Sequence, residues 1–167
     1  MHRHSTSATT LRVSGAHSDN RRGTYVVEFA IVFPVFMLFI MGLIEFGHAN
    51  LVINALNNAA RIGARMGTVE NVTTEQVRTR VDSIMRAALQ STNSVTVHVK
   101  DASSFDSASL DPEDIQYASL PNIELGDADA AQLFLVRVEV PYSSVALLPP
   151  FWARNLNLSG QAVMRHE

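Results

Sequence analysis

Residues 21–47 read RRGTYVVEFAIVFPVFMLFIMGLIEFG. Two arginines and a glycine precede a long apolar run, and one carboxylate, Glu28, sits inside it. Residues 29–44 are sixteen apolar or small residues without a charge. With Tyr25, Val26 and Val27 before them and Phe46 and Gly47 after, the run reaches the roughly 20 residues that a bilayer-spanning helix needs. A buried core helix is the alternative. A chain of 167 residues has too little other apolar material to cover large side chains on every face. A carboxylate in hydrocarbon costs roughly 2.5–3.5 kcal/mol on insertion scales, so Glu28 calls for a compensating partner.

Charge gives the segment a direction. Arg3, Arg12, Arg21 and Arg22 all precede it, and residues 1–23 carry a net +3. The whole chain is −3, which leaves −6 for residues 24–167. The positive-inside rule puts the N-terminus in the cytoplasm and the C-terminal part outside, periplasmic or extracellular. An acidic exported part has no general basic surface, which argues against nucleic acid as a partner. The chain has no cysteine, so neither a disulfide nor a thiolate metal site contributes. A secretory signal peptide has a shorter apolar region of about 7–15 residues and a small-residue cleavage site. The Arg21-Arg22 pair permits a twin-arginine export signal, and the Ser/Thr/Arg-rich start permits a transit peptide. Glu28 within the run counts against both export signals, and the spanning segment directly behind makes a transit peptide the lesser reading.

The rest of the chain divides into a polar basic leader at 1–23, a transmembrane helix at 24–47, an amphipathic extension at 48–69 and an exported domain at 70–167. Residues 1–20 are polar and aperiodic and are expected to be disordered. Their histidines, His2, His4 and His17, are scattered and do not suggest a metal site. The helix is expected to start near Thr24 and to kink at Pro34, because proline removes a backbone donor and clashes with the preceding turn. Ala55, Ala59, Gly63 and Gly67 recur every fourth residue and make a ridge of small side chains that lets another element approach closely. The ridge could pack on this chain's own domain or on a partner. Arg61 and Arg65 lie on another face and read as solvated.

Thr73 and Gln76 have capping-box spacing and restart a helix. Val77, Val81, Ile84, Met85, Ala88 and Leu89 give it one apolar stripe over about 16 residues. Val95, Val97 and Val99 alternate, marking a half-buried strand with His98 on its other face. Residues 133–142 and 156–165 read as two further strands. Residues 101–130 hold eight of the sixteen acids, lack EF-hand spacing and read as a solvated insertion. Between the last strands, Leu147, Leu148, Phe151 and Trp152 could pack on the core or touch a membrane surface, where tryptophan is favoured. Adjacent strands without intervening helices predict an antiparallel sheet of about three strands, and so an α+β fold.

Catalytic chemistry is missing from the pattern. There is no Ser/His/Asp grouping at a nucleophile elbow, no HExxH and no phosphate-binding glycine loop. Asp111, Glu113 and Asp114 lie together in a loop without a rigid platform. Asn71-Val72-Thr73 and Asn157-Leu158-Ser159 match a glycosylation pattern short enough to arise by chance. No catalytic, cofactor or metal residue is assigned, and the chain reads as a non-enzyme.

Gly23-Thr24-Tyr25-Val26-Val27-Glu28-Phe29 resembles the processing site of type IV prepilin-like proteins: basic leader, glycine, four residues, glutamate and an aromatic, opening an apolar helix. The longer run resembles the TadE-like family of minor pilins and pseudopilins from tight-adherence (Flp/Tad) systems. The residues that carry it are Val27-Glu28-Phe29-Ala30, Pro34, Ile44-Glu45-Phe46-Gly47, Ala59 through Arg65, and Met164-Arg165-His166-Glu167. The resemblance covers residues 21–67 specifically, is weak in the strands and is absent from the acidic insertion. It implies cleavage between Gly23 and Thr24 by a prepilin peptidase, and pairing of the new Thr24 amine with Glu28, beside Phe29. It also implies other pilins or pseudopilins, the inner-membrane assembly platform and membrane lipid as partners. Glu45, at the far end of the run and about 25 Å from Glu28 at 1.5 Å per residue, is expected to be a simple interfacial acid whose substitution matters less. The alternative is a single-pass, anchored surface-binding or adhesion module that never polymerises.

Overall fold

The computed structural model describes residues 19–89, 94–106, 117–148 and 155–167, with side chains from Gly23 onward except that of Ala118. Two helices precede three strands: α1 (Asp19–Gly67), α2 (Thr74–Leu89), β1 (Thr96–Asp101), β2 (Leu133–Pro141) and β3 (Asn157–Arg165). The strands form one antiparallel sheet in the order β1-β2-β3. The fold is α+β, as the pattern predicts. Of residues 1–20, expected to be disordered, Asp19 and Asn20 are instead helical, and 1–18 lie outside the described residues, as do Phe151, Trp152 and the acidic cluster Asp111, Glu113 and Asp114.

The chain divides into two compact units, Met1–Gly42 and Leu43–Glu167. In the first, α1 starts at Asp19 rather than near Thr24 and runs through Pro34 without interruption. Its apolar side chains are exposed on all faces, and this helix is long and apolar enough to cross a membrane. A single N-terminal helix thus supplies what a single-pass membrane anchor requires.

In the second unit, α1 turns one stripe inward. Val52, Leu56, Ala59, Ala60 and Ala64 are buried at spacings of three and four, as expected for the core face of a helix. They meet Val77, Val81 and Met85 of α2 and the inner face of β2, where Phe134, Val136, Val138 and Val140 alternate with period two. Ile84 and Leu89 pack at the margin of this cluster, whereas Ala88 is exposed. The capping box forms in both directions: Thr73 N–H donates to Gln76 Oε1 (3.0 Å) and Gln76 N–H donates to Thr73 Oγ1 (3.3 Å).

The acidic insertion is only partly a solvated loop. Leu125 is fully buried in the core. Glu124 accepts the Thr74 N–H (2.8 Å), while the buried Thr74 hydroxyl donates to Ile123 O (2.9 Å) and accepts from Leu125 N–H (3.0 Å). Asn122 bridges to Lys100 and so covers part of the β1 edge. On the outer face of the sheet, the Arg137 guanidinium lies over the Tyr117 ring, 4.9 Å from its centroid. The final residues close the far end of α1. His166 Nδ1–H donates to Gly67 O (3.0 Å), since a carbonyl can only accept, and Glu167 N–H donates to Thr68 O (3.0 Å).

Candidate functional site

The first group of site residues lies on one turn-spaced face of α1. Gly23, Thr24, Val27, Glu28 and Ile31 line a shallow concavity there. Gly23 and Glu28 are both exposed, and Phe29 stacks on Phe33 with ring centroids 5.1 Å apart. A Cβ built on Gly23 would have nothing within 4 Å. Packing among the described residues therefore gives no reason for glycine at this position, although glycine inside a helix costs about 0.5–1 kcal/mol relative to alanine. Glu28 makes no ion pair among the described residues. Pro34 lies within the continuous helix further along.

The second group centres on Glu45, and here the structure departs from the sequence reading. Glu45 is no simple interfacial acid. It is only 4% exposed. Its Oε1 accepts the Tyr142 hydroxyl (2.6 Å) and the Leu147 N–H (3.2 Å), and its Oε2 accepts the Leu148 N–H (3.3 Å). Three donors satisfy a charge that would be costly to bury alone. One turn on, His48 Nε2–H donates to Val145 O (2.8 Å). The segment 142–148 is thus held to α1 by two side chains. Burial, and then the hydrogen bond and charge of Glu45, push the Tyr142 phenol up to about 12. The missed signal was periodicity: Glu45 stands seven residues before Val52 and eleven before Leu56, on the same buried stripe.

The small-residue ridge faces this chain's own domain. A Cβ on Gly63 would meet Val81, Val77 and Val136, and one on Gly67 would meet Leu125 and Phe134. Ala59 is fully buried and Ala55 half-buried. The sheet contributes its own close approach. A Cβ on Gly160 would collide with the backbone of Leu56 and Asn57. Gln161 N–H also donates to Asn57 Oδ1 (3.3 Å), so α1 covers part of the β3 edge.

No group of three or more His, Cys, Asp or Glu able to hold a metal occurs among the described residues. Comparison with curated proteins and with solved structures gives no match. Comparison with family models does, and the matched segment starts at Gly23 and ends in the small-residue extension of the same helix. Residues 23–65 match the family described as TadE-like protein, so that stretch of α1 is similar to the family whose motifs it carries.

Proposed function

We propose that this chain is a minor pilin or pseudopilin of a tight-adherence (Flp/Tad) type IV pilus system, processed by a prepilin peptidase. The observation that carries the reading is the TadE-like match, which opens on Gly23 and includes Glu28, Phe29, Pro34 and Glu45. The basic leader supports a cytoplasmic N-terminus and an exported C-terminal domain. Cleavage after Gly23 requires the helical backbone of that turn to open into the peptidase, and glycine lowers the cost of opening it. The cut leaves a new α-amine on Thr24, one helical turn from Glu28. That amine, in the same or a neighbouring subunit, offsets the carboxylate in hydrocarbon and sets the register of assembly. Phe29 packs beside the pair, and Pro34 supplies a kink in the membrane helix. Partners are then the peptidase, other pilins or pseudopilins, the inner-membrane assembly platform and lipid, and the chain's role is assembly rather than catalysis.

The test is co-expression with a cognate prepilin peptidase, followed by N-terminal sequencing of the product. The proposal expects a chain that starts at Thr24 and a Gly23→Trp variant that inserts but stays uncut. A chain that still starts at Met1 beside an active peptidase overturns it.

A further inference from the structure

Leu43, Ile44 and Phe46 carry exposed apolar side chains on either side of the inward-turned Glu45. Between Glu28 and Arg61 the sequence holds only one Asp, Glu, Lys or Arg, and it is Glu45. Side chains on a helix tilt toward its N-terminus, so the Glu45 carboxylate lies over the preceding turn, at the level of Leu43 and Ile44 along the axis but on a different face. The Leu147 and Leu148 amides bind that carboxylate, which sets the end of the 142–148 loop at the same level. The Leu147 side chain is nonetheless 58% exposed.

Several polar groups of this loop are paired within the protein. Val145 and Ala146 N–H both donate to Tyr142 O, Val145 O accepts from His48, and the Tyr142 hydroxyl and the Leu147 and Leu148 amides go to Glu45. Such pairing lets this end of the loop approach hydrocarbon, where each unpaired backbone group costs several kcal/mol.

We propose that Leu43, Ile44, Phe46 and Leu147 form one apolar band at a common depth, which rests in the interface of the lipid bilayer, with Glu45 as the positioning residue that holds the 142–148 loop at that depth. The proposal rests on the membrane-anchor reading of α1. Lipid is the occupant because this surface continues from an all-round apolar helix, and such a helix needs hydrocarbon on every side. The surface carries no exposed charge that a polar protein partner would answer.

The absence of cysteine makes the test clean. Single Phe36→Cys, Ile44→Cys, Val69→Cys and Leu147→Cys variants of the full chain are labelled with an environment-sensitive nitrobenzoxadiazole dye and reconstituted into phosphatidylcholine vesicles. Spin-labelled lipid quenches the dye, with the label placed either just below the headgroup or deep in the acyl chain. Expected is quenching at Leu147 by the shallow label as strong as at Ile44, with none at Val69. If the deep label does not quench at Phe36, the anchor reading fails. If Phe36 is quenched but Leu147 behaves like Val69, the lipid-resting surface alone is wrong. Glu45→Gln, and the milder Tyr142→Phe, should each reduce quenching at Leu147 and leave Ile44 unchanged. Full quenching at Leu147 in both variants overturns the positioning role of Glu45.

Discussion

Residues 23–42 and residues 43–67 belong to one helix, yet the two stretches solve different problems. The first exposes Phe, Ile, Leu, Val and Met side chains all round, and its Gly23 and Gly42 would each accept a Cβ without meeting any atom within 4 Å. The second has a face: Val52, Leu56, Ala60 and Ala64 are buried, and Gly63 and Gly67 are as small as they are because Val81, Val136, Leu125 and Phe134 press against them. The difference teaches where each stretch finds its environment. The second is completed by this chain's own sheet and second helix, whereas apolar surface on the scale of the first calls for a covering from outside the chain. The two carboxylates follow the same division: Glu28 is exposed in the first stretch, and Glu45 is enclosed by Tyr142 and two backbone amides in the second.

The sharpest way to break the comparison is through the glycines. Gly160→Val should have the largest effect, because the new side chain must push the Leu56–Asn57 backbone away from β3. A loss of about 3 kcal/mol in domain stability is expected from denaturant unfolding of the full chain in detergent. Gly63→Ala meets the stiff Val81 side chain instead of backbone and should cost about 1–2 kcal/mol in the same assay.

A smaller effect is expected at the loop that brings Leu125 against Gly67. The Thr74 N–H donated to Glu124 holds that carboxyl below its ordinary value of 4.5, with burial working the other way. A depressed carboxyl contributes stability that is fully present above 4.5 and is lost as the pH falls through the lowered folded value. Thermal midpoints of the wild-type chain should therefore fall on the acid side of 4.5, and Glu124→Gln should flatten part of that slope. An unchanged slope would show that this junction does not titrate with folding. The smallest effect belongs to Gly42→Ala, in open space on the first stretch, which should leave domain stability within about 0.5 kcal/mol of wild type.

Much of this architecture was legible in the sequence, for local reasons. Alternating valines mark β1, the Thr73–Gln76 spacing marks the restart of the helix, and the apolar run marks the membrane-length segment. These signals live within a few residues of one another. What could not be read depends on distant partners. The small-residue ridge has the same spacing whether it meets a sheet or another subunit, and only Val136 and Phe134, some 70 residues further on, decide between them. Leu125 in an acidic stretch looks like a loop residue until Gly67 leaves it a place. Glu45 finds Tyr142 97 residues away, and from its own neighbourhood it looks like the end of an apolar run. Its register with Val52 and Leu56 was the one local clue. The helical course of Asp19–Gly23, before Thr24, has a local clue in Asp19 and Asn20, residue types favoured at helix N-termini.

The central claim is that two similar acids at the ends of one apolar run stand in opposite relation to the folded domain, which is independent of Glu28 and depends on Glu45. It is tested most directly by the thermal midpoints of Glu28→Gln and Glu45→Gln, each purified as the full chain in the same detergent. In Glu45→Gln, an amide NH2 replaces a carboxylate oxygen that accepts a backbone N–H, so one buried donor faces another or an acceptor is lost. The account predicts a loss of about 1–3 kcal/mol for this variant, seen as a lowered midpoint, and a midpoint for Glu28→Gln equal to wild type. A Glu45→Gln protein that melts with the wild type, or a Glu28→Gln protein that loses as much, would contradict it.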